Sequence, residues 1–197
     1  MRNSEGFWLP ILLRPSSLIR RSLNAIFRRM AVRQNVSIGS RFHVGPGSVI
    51  WAPISLAIGD DVYVGKNVTL QFDGEIGDGV LISNTVGIVG RTDHDISQVG
   101  TSIRKSRWVG DVGSELSRRT VIGSDVWVGY GAIILSGVRV GNSVIVAAGS
   151  VVVDDIPDNS IIAGNPARVL RRRFSDEAYV VHWSTLEATG VKRRLSC

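Results

Sequence analysis

Residues 122–157 read IGSDVWVGYGAIILSGVRVGNSVIVAAGSVVVDDIP, and an aliphatic residue recurs at every sixth position. The fifth residue of each hexapeptide is small or branched, and Gly, Asn, Asp or Ser residues are frequent just before it. The fifth residue of one hexapeptide and the first of the next are two positions apart, so on an extended strand their side chains share a face. Each hexapeptide therefore predicts a short strand followed by a corner. The aliphatic first positions are Ile122, Val128, Ile134, Val140, Val146 and Val152.

A second period, of eighteen residues, lies on top of the first, because Ile-Gly pairs begin at residues 58, 76 and 122 and a Val-Gly pair begins at residue 140. Three hexapeptides per coil predict three strands per coil and a triangular prism. Repeats of this kind are typical of an all-β solenoid, whereas an antiparallel sandwich, the alternative for alternating Val and Gly, needs no fixed period. The pattern predicts an irregular coil at about 38–57, with two extra residues near Ser55, and four complete coils at 58–75, 76–93, 122–139 and 140–157.

The repeat is interrupted after Ile88. The next aliphatic position holds His94, and the pattern resumes in phase only at Ile122. Residues 94–121 are therefore predicted to be one inserted loop of 28 residues in a β-helix domain that spans 36–165. Long loops in compact domains are uncommon and usually functional.

His94 is the candidate catalytic residue of this loop. Imidazole titrates near neutral pH, so it suits the removal of a hydroxyl proton during acyl transfer. Asp93 and Asp95 flank it and could orient the ring, but the sequence does not distinguish between them; the alternative is an inert surface histidine. His43 and His182 are each about fifty or more residues away from His94, so a three-histidine zinc site, and any metal, is not expected.

The sixth residue of each hexapeptide lies between two inward residues and points outward. The outward residues form three columns, one on each face of the prism. The second column contains Thr69, Gly87, Ile133 and Val151, and the third contains Glu75, Asp93, Arg139 and Pro157. The first column is an apolar stripe, and exposed apolar stripes usually mark contacts. Trp127 in that stripe is a candidate for contact with a ligand or with a second subunit. The stripe consists of Tyr63, Leu81, Trp127 and Ile145.

The net charge of +6 is concentrated at the two ends of the chain. Residues 1–35 carry seven Arg and one Glu, residues 36–165 have a charge of −4, and residues 166–197 have a charge of +4. The N-terminal segment 1–35 is predicted to form a basic amphipathic helix, with Ser16 or Ser17 as its N-cap. Residues 7–33 comprise this helix and the apolar stretch Phe7-Trp8-Leu9 upstream of it. They either lie on an anionic membrane surface or cap the solenoid. Residues 166–197 are predicted to be a basic extension with a helix from Ser175 to Thr189.

Composition narrows the class of protein and its location. The apolar run that ends at Leu13 is interrupted by Pro10 and is too short for a signal peptide or a membrane span. Cys197 is the only cysteine, which fits a reducing compartment. The expected location is therefore the cytoplasm, with the inner face of the membrane as the peripheral alternative. A pI near 10 raises nucleic acid as a partner, but no recognition module is present, so none is expected.

Residues 122–170, IGSDVWVGYGAIILSGVRVGNSVIVAAGSVVVDDIPDNSIIAGNPARVL, resemble the C-terminal coils of the hexapeptide acyltransferases. The pattern is most similar to the maltose and galactoside O-acetyltransferases and their relatives in bacterial surface-polysaccharide synthesis, and the resemblance covers 36–172. It implies a left-handed parallel β-helix, a hand that the periodicity alone does not give. It also implies a homotrimer with sites between subunits, acetyl-CoA as the acyl donor, a sugar or glycan hydroxyl as the acceptor, and a catalytic histidine at the insertion.

The resemblance implies donor contacts as well. The positions that match coenzyme A contacts are Tyr130, Ala148, Arg168 and Arg171, and Gly149 beside Ala148 would let the pantetheine arm run close to the backbone. The chain departs from the family in two places. Val153-Asp154 stands where relatives often carry Thr-Lys, and the asparagine that binds acceptor sugar in maltose-type enzymes has no clear counterpart, Asn67 being merely nearby.

Three functions follow as expectations. The first is an acetyl-CoA-dependent O-acetyltransferase acting on a sugar hydroxyl in surface-polysaccharide or lipid-linked glycan synthesis, with His94 as the general base. The alternatives are an amino-sugar N-acyltransferase and a non-catalytic, membrane-associated scaffold of the same fold. Asp154 stands where relatives often carry a cationic residue. The loss of that positive charge at the donor site keeps the scaffold alternative open.

Overall fold

The computed structural model describes residues 17–194, with side chains described from Ser22 onward. The segment Phe7-Trp8-Leu9, the alternative cap Ser16 and Cys197 lie outside the described residues. Within the range it covers, no helix combines the length and hydropathy that crossing a bilayer requires.

The elements follow the predicted repeat. In chain order they are α1 (Ser17–Ala31), β1 (Val36–Ile38), β2 (His43–Val44), β3 (Val49–Trp51), β4 (Leu56–Ile58), β5 (Tyr63–Val64), β6 (Thr69–Gln71), β7 (Gly74–Ile76), β8 (Leu81–Ile82), β9 (Gly87–Val89), α2 (Gly113–Leu116), β10 (Thr120–Ile122), β11 (Trp127–Val128), β12 (Ile133–Leu135), β13 (Arg139–Val140), β14 (Ile145–Val146), β15 (Val151–Val152), β16 (Ser160–Gly164), β17 (Ala167–Arg172) and α3 (Asp176–Ala188).

The strands form three sheets, and the chain visits them in turn, which makes a left-handed parallel β-helix. The first face contains β2, β5, β8, β11, β14 and β16, with β17 at its end. The second face contains β3, β6, β9, β12 and β15, and the third contains β1, β4, β7, β10 and β13. The predicted solenoid is confirmed, and α1 covers its first coil.

The strand register confirms both irregularities expected in the repeat. His43 lies opposite Tyr63, a step of twenty residues that accommodates the two extra residues of the first coil. Tyr63 lies opposite Leu81, the regular step of eighteen. Ile76 lies opposite Ile122, a step of 46 residues that is one coil plus the insertion of 28.

The end of the insertion differs from the prediction by two residues. Strand β10 begins at Thr120, whose N–H donates to the carbonyl of Asp73 at 2.8 Å. Strand pairing resumes at Thr120 because the edge of β7 presents backbone N–H and carbonyl groups to β10. As a result, Val121 and not Asp93 lies between Glu75 and Arg139 in the third outward column. Asp93 belongs to the loop.

The interior of the prism is an aliphatic ladder, as the first and fifth positions predict. These side chains are almost completely removed from water, and each contributes roughly 1.5–3 kcal/mol of hydrophobic free energy. The residues with no exposed surface include Val44, Val64, Leu70, Ile76, Ile82, Ile88, Ile122, Val128, Ile134 and Val152.

The corner between the third and first faces carries a ladder of side-chain acceptors. The backbone N–H of Asp60 donates to Asp78 at 2.9 Å, and that of Asp78 donates to Ser124 at 3.0 Å. The N–H of Ser124 donates to Asn142 at 3.0 Å. The glycine before each acceptor permits this stacking, since a Cβ on Gly77 would lie 2.6 Å from the nitrogen of Ser124.

Helix α1 covers the first coil, whereas α3 lies along the corner between the third and first faces, where Tyr179 donates to Asp158 at 3.1 Å and His182 lies 2.7 Å from Asp125. The side chain of Asn24 in α1 donates to the carbonyl of Phe42 at 3.0 Å and accepts from the N–H of Val44 at 3.1 Å. At the other end, β17 forms an antiparallel hairpin with β16 before α3 begins. The C-terminal helix has Ser175 as its N-cap and a buried Trp183, which confirms the predicted helix and adds an unpredicted strand before it.

Candidate active site

The insertion leaves the prism at the corner between the second and third faces, after β9, and returns at β10. His94 forms an antiparallel bridge with Trp108 inside it. The N–H of Asp95 donates to the carbonyl of Arg107, and the N–H of Val109 donates to the carbonyl of Asp93, both at 2.9 Å. This short two-stranded ribbon fixes the backbone on both sides of His94.

The imidazole of His94 is partly buried. Its Nδ1 is buried and has no hydrogen-bond partner among the residues whose side chains are described. A buried ring nitrogen without a partner is costly unless a ligand or water completes it. The geometry therefore leaves His94 able to exchange a proton with a bound group.

The carboxylate of Asp95 is fully engaged by other partners. Oδ1 accepts from the N–H of Ser97 at 2.9 Å and from its hydroxyl at 2.5 Å. Oδ2 accepts from Arg107 at 2.6 Å and 3.2 Å. The hydrogen bonds from Ser97 and Arg107 lower the pKa of Asp95 to about 2. Asp95 therefore holds the insertion in shape, and the expectation that it orients His94 does not agree with this arrangement.

Asp93 is exposed, and no hydrogen bond joins its side chain to His94 within residues 22–194. It lies instead on the wall of a cavity of about 330 Å³ beside the insertion. Neither Asp93 nor Asp95 contacts the imidazole of His94 in the part of the chain whose side chains are described.

The cavity joins three parts of the chain. The segment after α1 contributes Arg33 and Gln34, and the ends of β3 and β6 contribute Trp51 and Gln71. The insertion contributes Trp108, whose ring centroid lies 5.7 Å from that of Trp51. The remaining lining residues are Pro53, Phe72, Gly90, Thr92, Asp93, Val109, Leu116, Ser117 and Ser136.

Sequence analysis did not identify Arg33, Trp51, Gln71 or Trp108 as site residues. One signal was available for Gln71, because it stands where the first two hexapeptides of a coil carry glycine. The two tryptophans carry no periodic signal that predicts their contact.

Three of the predicted donor-site residues meet at the corner between the first and second faces. The N–H of Gly149 donates to the carbonyl of Tyr130 at 2.8 Å, and Ala148 lies beside it. Gly149 has a positive φ of 69° and open space in the direction of a Cβ. Tyr130 is 61% exposed. This edge is open to a long, narrow ligand.

The other donor-site candidates lie on either side of that corner. Trp127, on the first face, is half exposed and donates its Nε1–H to the Ser83 hydroxyl at 3.1 Å. Arg168 pairs with Asp154 at 3.2 Å, and both side chains are exposed. Arg171 donates to the carbonyl of Arg172 at 3.1 Å. Arg168 is thus partly neutralised by the residue that departs from the family pattern.

The base of the insertion is tied to the segment that carries Asp154, the partner of Arg168. Arg91 donates to the carbonyl of Val153 at 2.5 Å, and its N–H donates to Ser136 at 2.9 Å. Val153 directly precedes Asp154, so the ion pair of Arg168 lies close to the corner from which the insertion leaves. The second face separates this corner from Tyr130 and Gly149.

The three histidines occupy separate environments. His43 stacks on Tyr63 with ring centroids 4.6 Å apart, and burial lowers the pKa of His43. His182 lies 2.7 Å from Asp125, which also pairs with Arg173. Over the part of the chain that the structure describes, no three His, Cys, Asp or Glu side chains are grouped as metal ligands would be.

Comparison with known proteins agrees with this architecture. Residues 119–154 match the bacterial transferase hexapeptide family, which is defined by six repeats. The chain resembles the hexapeptide-repeat acetyltransferases.

Two such relatives are galactoside O-acetyltransferases. The Escherichia coli K12 protein is 32% identical over 136 residues, which are 65% of this chain and 62% of that protein. The Lactococcus lactis protein is 34% identical over 123 residues, which are 61% of this chain and 54% of the relative. The chain therefore spans less than two thirds of the length of these acetyltransferases.

Solved structures share the fold at lower identity. A mutant of AntD, an N-acyltransferase from Bacillus cereus in complex with dTDP and coenzyme A, superposes with a TM-score of 0.60 at 18% identity. The superposition covers 79% of this chain and 82% of AntD. It supports the β-helix fold.

Proposed function

We propose that the protein is an acetyl-CoA-dependent O-acetyltransferase that acetylates a sugar hydroxyl in surface-polysaccharide or lipid-linked glycan synthesis. The observation that carries the proposal is the buried, unpartnered Nδ1 of His94 on a loop that borders a ligand-sized cavity. The galactoside O-acetyltransferases to which the chain is similar support the reaction class.

His94 acts as the general base. It takes the proton of the acceptor hydroxyl as the acceptor oxygen bonds to the acyl carbon, and it returns that proton to the sulfur as the carbon–sulfur bond breaks. Acetyl-CoA supplies an acyl group that is activated as a thioester. The bridge to Trp108 fixes the backbone that carries the ring.

The exposed edge at Tyr130, Ala148 and Gly149 fits the donor. The open space above Gly149 lets a narrow chain approach the backbone. The pair of Arg168 with Asp154 is exposed, and such pairs contribute at most about 1 kcal/mol. A phosphate group can therefore replace Asp154 as the partner of Arg168, with Arg171 and Trp127 as further contacts.

We also propose a homotrimer with the site between subunits. The apolar stripe of the first face supports it, because Tyr63, Leu81 and Trp127 are 45%, 44% and 50% exposed in the single chain. Contact with a second subunit would remove this stripe from water. A particle mass three times that of the chain, measured by light scattering, is the expected result.

The N-terminal helix supports a peripheral membrane contact. Ala31 is buried and Phe27 packs on the solenoid, so α1 does cap the first coil. Leu23, Ile26 and Met30 remain 41%, 52% and 70% exposed, with Arg28 and Arg29 nearby. A basic helix with an exposed apolar stripe suits an anionic membrane surface, where a lipid-linked acceptor would be found.

The experiment that tests the function measures acetyl-CoA binding by calorimetry, and then CoA release in the presence of neutral sugars and amino sugars. Binding with CoA release on hydroxyl acceptors supports the proposal. Release on amino sugars alone would instead indicate the N-acyltransferase. Absence of acetyl-CoA binding would overturn the transferase and favour the scaffold.

A further inference from the structure

The cavity beside the insertion has features that acetyl transfer alone does not require. Asp93 and Trp108 line it, whereas His94, which follows Asp93 in the chain and lies opposite Trp108 in the ribbon, does not. Its volume of about 330 Å³ lies near the lower end of small-molecule pockets, which span about 300 to 1,000 Å³. The walls come from the segment after α1, from β3 and β6, and from the insertion. A single sugar ring with one substituent is the size of ligand that this space suits.

Two tryptophans form the aromatic wall. Trp51 ends β3, and Trp108 reaches it from the insertion with an angle of 44° between the rings. Trp108 is 41% exposed although it is a large apolar side chain. An indole offers a flat apolar surface and one N–H donor, which matches the apolar face of a pyranose ring and one of its hydroxyls.

Polar groups line the rest of the cavity. Gln71 at the end of β6 and Gln34 after α1 each provide donors and an acceptor, and Asp93 provides acceptors. This combination suits several hydroxyl groups, each of which both donates and accepts. Asp93 thereby gains a function next to His94 that does not depend on contact with the imidazole.

Arg33 gives the cavity a positive charge. It lines the cavity and is exposed, and it forms no ion pair with any carboxylate in the region where side chains are described. The guanidinium group matches phosphate oxygens in a planar, bidentate geometry. Arg28 and Arg29, in the last turn of α1, lie within five residues of Arg33 in the chain.

We propose that this cavity is the acceptor subsite and that the acceptor is a glycosyl phosphate. The sugar ring lies against Trp51 and Trp108, with its hydroxyls on Gln71 and Asp93, and the phosphate lies on Arg33. This inference rests on the proposed acetyltransferase and names its substrate class. The phosphate is that of a nucleotide-linked or a lipid-linked sugar, which share this chemistry.

The test measures binding to the full chain by saturation-transfer NMR and calorimetry, without acetyl-CoA. The probes are the 1-phosphates of glucose, galactose and N-acetylglucosamine, the matching methyl glycosides, and inorganic phosphate. The best sugar phosphate is expected to bind roughly tenfold more tightly than its methyl glycoside, with an advantage that falls as salt is added.

Arg33→Gln is expected to remove this advantage and to leave the methyl glycoside unchanged. Arg104→Gln, which removes an exposed arginine of the insertion that does not line the cavity, is the matched control and should preserve it. Trp108→Ala should weaken both ligands. Equal binding of sugar phosphate and methyl glycoside, failure of every sugar phosphate to bind, or equal binding of inorganic phosphate would each overturn the proposal.

CoA release, measured on the same samples, separates this inference from the proposed function. If neutral sugars support release and phosphorylated ones bind no better, the subsite is wrong and the transferase stands. If sugar phosphates bind through Arg33 without any CoA release, the cavity is a glycosyl-phosphate site but not an acceptor subsite, and the transferase is wrong. Two further probes then distinguish a nucleotide-linked from a lipid-linked sugar. They are a nucleoside diphosphate hexose in solution and a polyprenyl diphosphate hexose in phosphatidylglycerol vesicles. Weak binding of both contradicts the proposal.

Discussion

His94 and Trp108 face each other across an antiparallel bridge within the insertion. The hydrogen bonds on either side, from Asp95 to Arg107 and from Val109 to Asp93, make the bridge part of a short ribbon. The ribbon therefore fixes the backbone from which the imidazole projects. The same ribbon brings the indole of Trp108 to the cavity that Asp93 lines, so the base and the proposed acceptor subsite are built by one structural element.

Asp95→Asn tests whether this carboxylate is structural. We expect faster amide exchange across residues 94–119 and a lower transfer rate, with acetyl-CoA affinity unchanged, because the change weakens the bonds to Ser97 and Arg107. The folded-state pKa of about 2 lies below the ordinary value of 3.8. The stabilisation by Asp95 is thus complete above about pH 4 and is lost as the pH falls through about 2.

Hydrogen exchange at stepwise lower pH, corrected for intrinsic rates, measures this effect. Asp111→Asn, which changes an exposed carboxylate of the same insertion, is the control. Protection of the insertion that is the same in wild type and Asp95→Asn would contradict the structural role.

Substitutions of the two members of the Arg168–Asp154 ion pair are expected to change coenzyme A affinity in opposite directions. Arg168→Gln should weaken coenzyme A binding. Asp154→Asn should tighten it by roughly two- to fivefold, since an exposed pair is worth up to about 1 kcal/mol. Calorimetry with coenzyme A gives both values, and Asp61→Asn, at the exposed pair with Arg41, is the control. Weaker binding in Asp154→Asn would show that Arg168 does not contact the donor.

The membrane contact is tested on the exposed stripe of α1. The double variant Ile26→Gln and Met30→Gln should bind phosphatidylglycerol vesicles more weakly in co-sedimentation, while thermal stability is retained because both side chains are exposed. Ile96→Gln with Val99→Gln, which changes two exposed apolar residues of the insertion, is the matched control. Equal vesicle binding by both double variants would remove α1 from the membrane proposal.

Because the coils stack closely at one position and not at the other, Gly77 and Gly87 are expected to differ in their tolerance of a larger side chain. A Cβ on Gly77 would lie 2.6 Å from the backbone nitrogen of Ser124, whereas one on Gly87 would lie 3.8 Å from its nearest neighbour, a methyl of Val89. Gly77→Ala should lower the free energy of unfolding by about 1–3 kcal/mol, and Gly87→Ala should change it by less than about 0.5 kcal/mol. Urea unfolding measures both, and similar values for the two variants would contradict the stacking argument.

Most of the fold could be predicted because a solenoid repeats one local rule. The steps from His43 to Tyr63 and from Ile76 to Ile122 follow directly from counting aliphatic positions. The N-cap at Ser175 was also predictable, since its hydroxyl accepts from the N–H of Ala178 as the sequence pattern requires.

The site was less predictable because the insertion has no period. Its shape depends on side chains such as Asp95 and Arg107, which bind each other across a turn that carries no repeat signal. Trp51 and Trp108 are distant in sequence and meet only through the fold. The apolar face expected on α1 likewise divides, because Phe27 packs inward while Met30 faces solvent, and no helical pattern predicts which stripe the solenoid covers.

The most direct test of the account is the rate of CoA release from acetyl-CoA, with an acceptor that the wild type uses, in His94→Ala. His43→Ala, which changes the histidine stacked on Tyr63, is the control. Loss of a general base predicts a rate lower by roughly 10²–10⁴-fold, with acetyl-CoA affinity and unfolding unchanged and with the control near wild type. A His94→Ala rate within about twofold of wild type would show that His94 is not the base, and the proposed mechanism would be wrong.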